Sequence, residues 1–280
     1  MKYTKKHKML RIIFYLLIFI IVIIQIYPIF WVVCSSFKTP EEMTYTAQYS
    51  IPSGFYMGNY ISALTISNIP RYFLNSVIVA ACTLIGIVLL GCPVAFVISK
   101  VKVSYANGLL GFFLFGMMIP VFACLIPMFQ IYNQIGLRNT YWALIIPQVG
   151  FGLPMCIYLY TGFFRFLPDS LLEAAIIDGA GMGTVFGKIV VPMAKNTTMT
   201  VLTYNFVFVW NEFTYANTFI SSSEMKTLPI GLNDFVGQFG RVDWGSTFAA
   251  IVISILPTLI VYFILNKNII EGMAAGAVKS

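Results

Sequence analysis

The residues with the most to offer chemically lie in one short run, Ser170 to Pro192, which reads SLLEAAIIDGAGMGTVFGKIVVP. Glu173, Asp178 and Lys188 stand there among glycines and alanines, in a chain that is 59% hydrophobic and 10% charged. Nucleotide binding is the first chemistry to test, because MGTVFGKI approaches the phosphate-cradling pattern G-x-x-x-x-G-K-[ST]. Met182 stands where the first glycine must let backbone N–H groups close on a phosphate, and Ile189 replaces the hydroxyl that would hold magnesium. The run follows no strand either, so this motif does not bind ATP here. Metal and disulfide chemistry find no support. His7, the one histidine, sits in a basic tail without ligands at useful spacing. Cys34, Cys82, Cys92, Cys124 and Cys156 form no CxxC pair and lie in apolar runs, as small buried hydrophobes do. No catalytic residue and no metal site is expected.

What the run offers is a shape. Ser170 and Glu173 match a capping box, in which two side chains satisfy the first free N–H groups of a helix. Pro168 and Asp169 suit a helix start, and Gly179 and Gly181 suit its end. At about 100° per residue, Leu171, Leu172, Ala175, Ile176 and Gly179 share one face, expected to pack inward. Glu173, Ala174 and Ile177 point elsewhere. A second short helix is expected over Thr184–Val191 before Pro192, with Phe186 and Ile189 inward. An elbow between spans, with Glu173 acting as a cap, explains this spacing as well as a docking element does.

The elements that must position this run are membrane helices. A mean hydropathy of +0.86 over 280 residues exceeds what a soluble domain can hide, so lipid is the solvent. Uncharged apolar segments run Ile12–Phe37, Tyr72–Ser99, Val103–Leu137, Asn139–Phe164, Asn196–Asn211 and Gly245–Asn266, giving an expected six transmembrane helices. The start, MKYTKKHKMLR and an apolar run, has a signal peptide's charge pattern but is too long and lacks an A-x-A site; it reads as an uncleaved first span. With both termini cytoplasmic, twelve of the 17 Lys and Arg residues fall inside, as the positive-inside rule asks. Trp31, Trp142, Trp210 and Trp244 then all fall near the outer interface, where indoles anchor. The basic residues are therefore topology determinants, and nucleic-acid binding is excluded as the source of the +7 charge.

The same run resembles the EAA motif of permease subunits of ATP-binding-cassette (ABC) importers, through Glu173, Ala174, Ala175, Asp178, Gly179, Ala180, Ile189 and Pro192. It departs from the family's pattern at Val191 and at Asn196. YPIFWVVCSSFKTPEEM, GLRNTYWALIIP, VWNEFTYANTF, KTLPIGL and EGMAAGAVKS are similar to the carbohydrate-uptake branch, and to its maltose-type second permease. The resemblance covers nearly the whole chain.

It implies an all-α type I importer permease that couples ATPase closure to alternating access for a sugar or oligosaccharide. The eight EAA residues would form a helix seated in a cleft of a separate ATPase. Implied partners are a second, homologous permease subunit, two ATPase subunits that bind ATP and magnesium, an extracytoplasmic sugar-binding protein, and the lipid bilayer of a bacterial plasma membrane. This chain would hold no cofactor. Its expected parts are residues 1–70 (first helix and external loop), 71–266 (core, with the coupling loop at 165–195) and 267–280 (cytoplasmic tail). Asn233, Asp234, Gln238 and Arg241 are expected to meet the binding protein. Tyr204, Asn205, Asn211, Gln130, Asn133 and Gln148 are polar groups expected within or beside the solute path, since such groups in lipid face a cavity or a neighbouring helix. Prolines at 93, 120, 127, 147, 154 and 257 mark expected kinks. A stand-alone carrier or channel, and an ABC permease for a non-sugar solute, stay open as alternatives. No span carries a central acid or base, which disfavours an ion-coupled carrier.

Overall fold

In the computed structural model the described residues are 5–65, 68–101, 103–235 and 242–277, with side-chain surroundings between residues 7 and 265. The fold is all-helical. In chain order the helices are α1 (Lys5–Ser36), α2 (Pro40–Tyr45), α3 (Gly58–Thr65), α4 (Ile69–Lys100), α5 (Ala106–Gly116), α6 (Val121–Gln134), α7 (Trp142–Phe166), α8 (Asp169–Ile177), α9 (Met182–Met193), α10 (Lys195–Trp210), α11 (Thr214–Phe219), α12 (Leu228–Gly231) and α13 (Trp244–Ala277).

Among the described residues four helices are long and apolar enough to cross a membrane: His7–Ser36, Ile69–Lys100, Trp142–Phe166 and Trp244–Leu265. The expected third crossing is broken. α5 and α6 meet at an 89° bend, so Val103–Leu137 is not one straight span. The cause is local. Pro120 has no N–H to return to Gly116, and its ring crowds the preceding turn. The last turn of α5 tightens to three-residue bonds, Met117 N–H to Leu114 O, Met118 to Phe115 and Ile119 to Gly116, before Pro120 leaves in an extended conformation. Pro28, Pro93, Pro127, Pro147, Pro154 and Pro257 remain inside their helices. The expected fifth crossing, α10, has only 16 residues.

The chain divides into two compact units, residues 1–69 with 232–255 and residues 70–231 with 256–280. In the first, the Lys38–Tyr60 stretch is held by polar bonds. Thr39 and Glu42 form a full capping box at α2. Lys38, 2% exposed, donates to Ala47 O, Gln48 O and Ser50 Oγ at 3.0–3.3 Å. Asn59 donates to the carbonyls of Ser36 and Lys38 at 2.9 and 2.8 Å. Gly245 is needed there, because a Cβ would sit 2.4 Å from Asn59 Oδ1.

In the second unit Asn75 plays the equivalent part. It is fully buried, donates to Glu224 O and Lys226 O at 2.8 Å each, and accepts from the Tyr141 hydroxyl at 2.7 Å. Asn139, at a φ of 58°, accepts on Oδ1 from the N–H groups of Ser221 and Ser222. Both asparagines fix the start of the long loop after α11. The unit's apolar core runs through Ile87, Phe96, Tyr160, Phe164, Leu172, Val185 and Val201. Close helix approach depends on Gly152, where a Cβ would lie 2.5 Å from Ile87 Cδ1.

Candidate functional site: an elbow and a cavity

The elbow between α7 and α10 is built on the core of the second unit. Leu172 on α8 and Val185 and Val190 on α9 are buried, and Phe186 meets Phe96 at 5.1 Å between ring centroids. Phe96 in turn meets Phe164 of α7 edge-on at 6.2 Å. The elbow is therefore a packed element rather than a hanging loop.

Its N-terminal end differs from the expected capping box. α8 begins at Asp169, two residues early, so Ser170 lies inside the helix and Pro168 at the cap has no side chain to offer. Lys100, the last residue of α4, takes over. Its Nζ donates to Leu167 O and to Asp169 Oδ1, each at 2.6 Å. The Lys100 side chain is 5% exposed and the Asp169 side chain 72%. A buried cation thus pins both the end of α7 and the start of α8. Nothing in the sequence pairs two residues so far apart in the chain, and Lys100 reads there only as a topology charge.

The C-terminal end is as expected. Gly179 takes a φ of +87°, which side chains rarely adopt. Gly179 N–H returns to Ile176 O and Ala180 N–H to Ala175 O, both at 2.9 Å. That pair of bonds is a Schellman motif. The second helix starts earlier than expected, at Met182, and is not uniform. Residues 186–190 form a wider, π-type turn, with Val191 N–H bonding to Phe186 O. Pro192 lacks an N–H for Lys188 O, and a π-bulge accommodates that loss.

The motif residues divide by face. Glu173, Ala174, Asp178, Gly179 and Pro192 are exposed, whereas Ala175, Ala180 and Ile189 are half-buried. The inward face is narrower than expected, because Leu171 and Ile176 are exposed along with Ile177, which is 85% open. The expectation that Phe186 and Ile189 turn inward holds only halfway, since both are half-buried. Glu173 makes no hydrogen bond or ion pair within the described residues. α8 therefore offers an unpaired carboxylate beside uncovered aliphatic side chains.

A second feature lies in the same unit. A cavity of about 490 Å³ opens where α5 and α6 break, beside α7 and the end of α10. Of the six expected path residues, Tyr204, Asn205, Asn211 and Gln148 line it. Gln130 and Asn133 do not. Both are exposed on α6, and Asn133 Oδ1 accepts from Arg138 at 3.2 Å. The break in α5–α6 is tolerated because irregular backbone at membrane depth can face a cavity.

The lining also holds Glu212, which follows Asn211 at the outer end of the fifth expected span, and Tyr215, which sequence reasoning missed. The Glu212 carboxylate accepts from the N–H groups of Tyr215 and Ala216 at 2.6 and 3.1 Å, closing the start of α11. An acid just ahead of a short helix, where the helix dipole favours negative charge, was a readable signal for that. Of the expected binding-protein residues, Asn233 and Asp234 are exposed in a 3₁₀ turn, Leu232–Phe235. Gln238 and Arg241 lie outside the described residues.

Several apolar crossing helices, a broken pair facing a cavity and a packed elbow define a multi-pass helical membrane protein of the transporter class. Comparison with known proteins fixes the family. Residues 87–274 match the family described as "Binding-protein-dependent transport system inner membrane component", and the chain belongs to it. It is 35% identical over 255 residues, 91% of this chain and 84% of the relative, to the diacetylchitobiose uptake system permease protein of Streptomyces coelicolor. It is 30% identical over 260 residues, 92% of each chain, to the trehalose/maltose transport system permease protein of Thermococcus litoralis. A bacterial ABC transporter involved in the import of the acidic polysaccharide alginate shares the fold. The TM-score is 0.84 over 95% of this chain and 99% of that one, at 20% identity.

Proposed function

We propose that this chain is one transmembrane permease subunit of an ATP-driven ABC importer for a sugar or oligosaccharide, in a bacterial plasma membrane. Family membership and two relatives named for sugar uptake support the class and the solute. Six crossings with cytoplasmic termini are the topology this reading requires. α5–α6 then serves as one bent crossing and α10 as a short one, each beside the cavity.

The observation that carries the mechanism is α8. Its Leu172 side is anchored in the core, while its other side holds an unpaired Glu173, the small Ala174 and uncovered Ile176 and Ile177. A helix fixed on one side and unfinished on the other fits a cleft on a partner. In this reading the partner is one of two ATPase subunits, which bind the ATP and magnesium. Glu173 meets a basic group there and Ala174 allows close approach. Asp178, Gly179, Ala180, Ile189 and Pro192 set the return path of the chain, and Ala175 joins the anchored side. ATPase closure moves α8, and Lys100 and the packed aromatics pass that motion to α4 and α7. The bundle then alternates between two packings, each favoured by one state of the ATPases. A second, homologous permease completes the path, and the C-terminal tail contacts the ATPases. A sugar-binding protein delivers solute from outside, meeting the loop that carries Asn233, Asp234, Gln238 and Arg241. Tyr204, Asn205, Asn211 and Gln148 form this chain's share of the solute path.

A photo-cross-linker at Ala174, the exposed alanine of the motif, tests the mechanism. It should capture an ATPase in native membranes, and proteoliposomes holding all subunits should import sugar only with ATP. Import by this chain and its permease partner without ATPases would instead establish a stand-alone carrier.

A further inference from the structure

The cavity bears on the charge of the solute. Its wall is mostly aromatic and aliphatic, with Phe122, Phe151, Tyr204 and Phe208 among its rings. Its polar groups are few and placed. Gln148, 7% exposed, spends its Nε2 on Leu144 O at 3.0 Å, and its Oε1 has no partner. Tyr215, 4% exposed, is held with its ring parallel to Phe219 at 6.2 Å, and its hydroxyl also has no partner. A buried polar atom left unpaired costs about 1–3 kcal/mol, so such atoms point to a missing ligand or water. Asn205 likewise turns its Nδ2 back to Val201 O at 2.9 Å. The one ionisable carboxylate in the lining, Glu212, is fixed by the N–H groups of α11. Among the described residues, no Lys, Arg or His contributes to the lining.

We propose that this cavity is a subsite for an uncharged sugar and discriminates against acidic ones. The reading rests on the importer function above and names the solute class within it. Ring faces lie against the apolar faces of a pyranose, the free Gln148 oxygen accepts from a sugar hydroxyl, and Tyr215 exchanges a hydrogen bond with another. Pockets of this kind, apolar with a few fixed polar groups, bind by shape and reject by mismatch. A uronate would bring a carboxylate into a low-dielectric wall with no counter-charge, next to the Glu212 carboxylate. Burying an unpaired charge beside a like one is the costliest mismatch available there. The same fold therefore serves an acidic polysaccharide in the alginate importer and, with this lining, neutral solutes here.

The test is protection of a reporter thiol in the assembled importer, with Cys34, Cys82 and Cys124 replaced by alanine. In Tyr204→Cys, the rate of modification by a small thiol reagent is measured with maltotriose, diacetylchitobiose or trigalacturonate at about 20 mM, above the millimolar range of a weak subsite. A neutral sugar should slow labelling about threefold or more, and trigalacturonate should leave the rate unchanged. Adding Gln148→Leu should abolish protection, and Glu212→Lys should let trigalacturonate protect. Equal protection by trigalacturonate, or none by either neutral sugar, overturns the proposal. Phe208→Cys, at a 62% exposed position on the same wall, is the second reporter should Tyr204→Cys fail to assemble. Protection is read without ATP turnover, so its loss with intact cross-linking at Ala174 removes the subsite alone. The reverse pattern removes the importer mechanism and keeps the subsite.

Discussion

The chain contains three four-residue stretches with the capping-box pattern, Thr39–Glu42, Ser170–Glu173 and Ser221–Glu224, and only the first folds as one; the first two are the ones beside α2 and α8. At Thr39–Glu42 the hydroxyl accepts from Glu42 N–H at 3.2 Å, and the carboxylate accepts from Thr39 N–H at 2.9 Å and from Ser53 N–H at 2.8 Å. Both oxygens of that carboxylate are used within the chain. At Ser170–Glu173 the helix begins two residues early, Lys100 holds Asp169, and Glu173 is left without a partner among the described residues. The difference teaches what to look for in a docking element. A carboxylate consumed by its own backbone builds structure. One released from that duty, on a helix anchored from behind, is available to another molecule.

Four experiments press on this contrast. Glu173→Lys should leave folding and membrane insertion intact yet lower sugar uptake at matched expression about tenfold or more, equivalent to about 1.4 kcal/mol of docking. Unchanged uptake would place Glu173 among solvated surface charges. Lys100→Met should destabilise the protein by about 1–2 kcal/mol in thermal unfolding, through the unpaired Leu167 carbonyl. The Asp169 charge adds little because it is largely exposed. The same variant should lower the sugar imported per ATP hydrolysed, and Lys100→Arg should restore part of it.

Smaller effects separate the two boxes directly. Thr39→Ala should cost about 1 kcal/mol, the usual worth of a cap. Ser170→Ala should stay within about 0.5 kcal/mol, as at a neutral surface site. Equal costs would mean that the second box forms in solution.

The last test is pH. Hydrogen bonds from Ser53 and then from Thr39, with a minor contribution from Lys38, hold the Glu42 carboxyl below the usual carboxylate range. A depressed value contributes stability that is present above the unfolded carboxylate pKa and is lost as pH falls through the folded one. The difference in thermal midpoint between the wild type and Glu42→Gln should therefore be largest at neutral pH and close under acid.

Much of the molecule was legible in one dimension because its signals are local. Apolar run length gave the crossing helices α1, α4, α7 and α13, and a single glycine, Gly179, gave the end of α8. Pro120 was marked as a break, yet not as a sharper one than Pro93 or Pro154. A glycine one turn earlier does not make the difference, since Gly150 precedes Pro154 as Gly116 precedes Pro120; what differs is whether the neighbours of a freed carbonyl can satisfy it. Placing Gln148 and Asn205 beside a cavity followed from the cost of polar groups in lipid. Gln130 and Asn133 depart from that expectation, both being exposed on α6, with Asn133 bonded to Arg138, and no local pattern separates the two cases.

The sequence by itself determined that this is a helical membrane protein with a compact interruption, because hydropathy, charge placement and capping chemistry act within a turn or two of chain. Only the tertiary structure decided which box closes, which lysine pins the elbow and which oxygens are left without partners. Those outcomes depend on residues distant in the chain meeting in space, and the energy of such a meeting is written in no single neighbourhood of it.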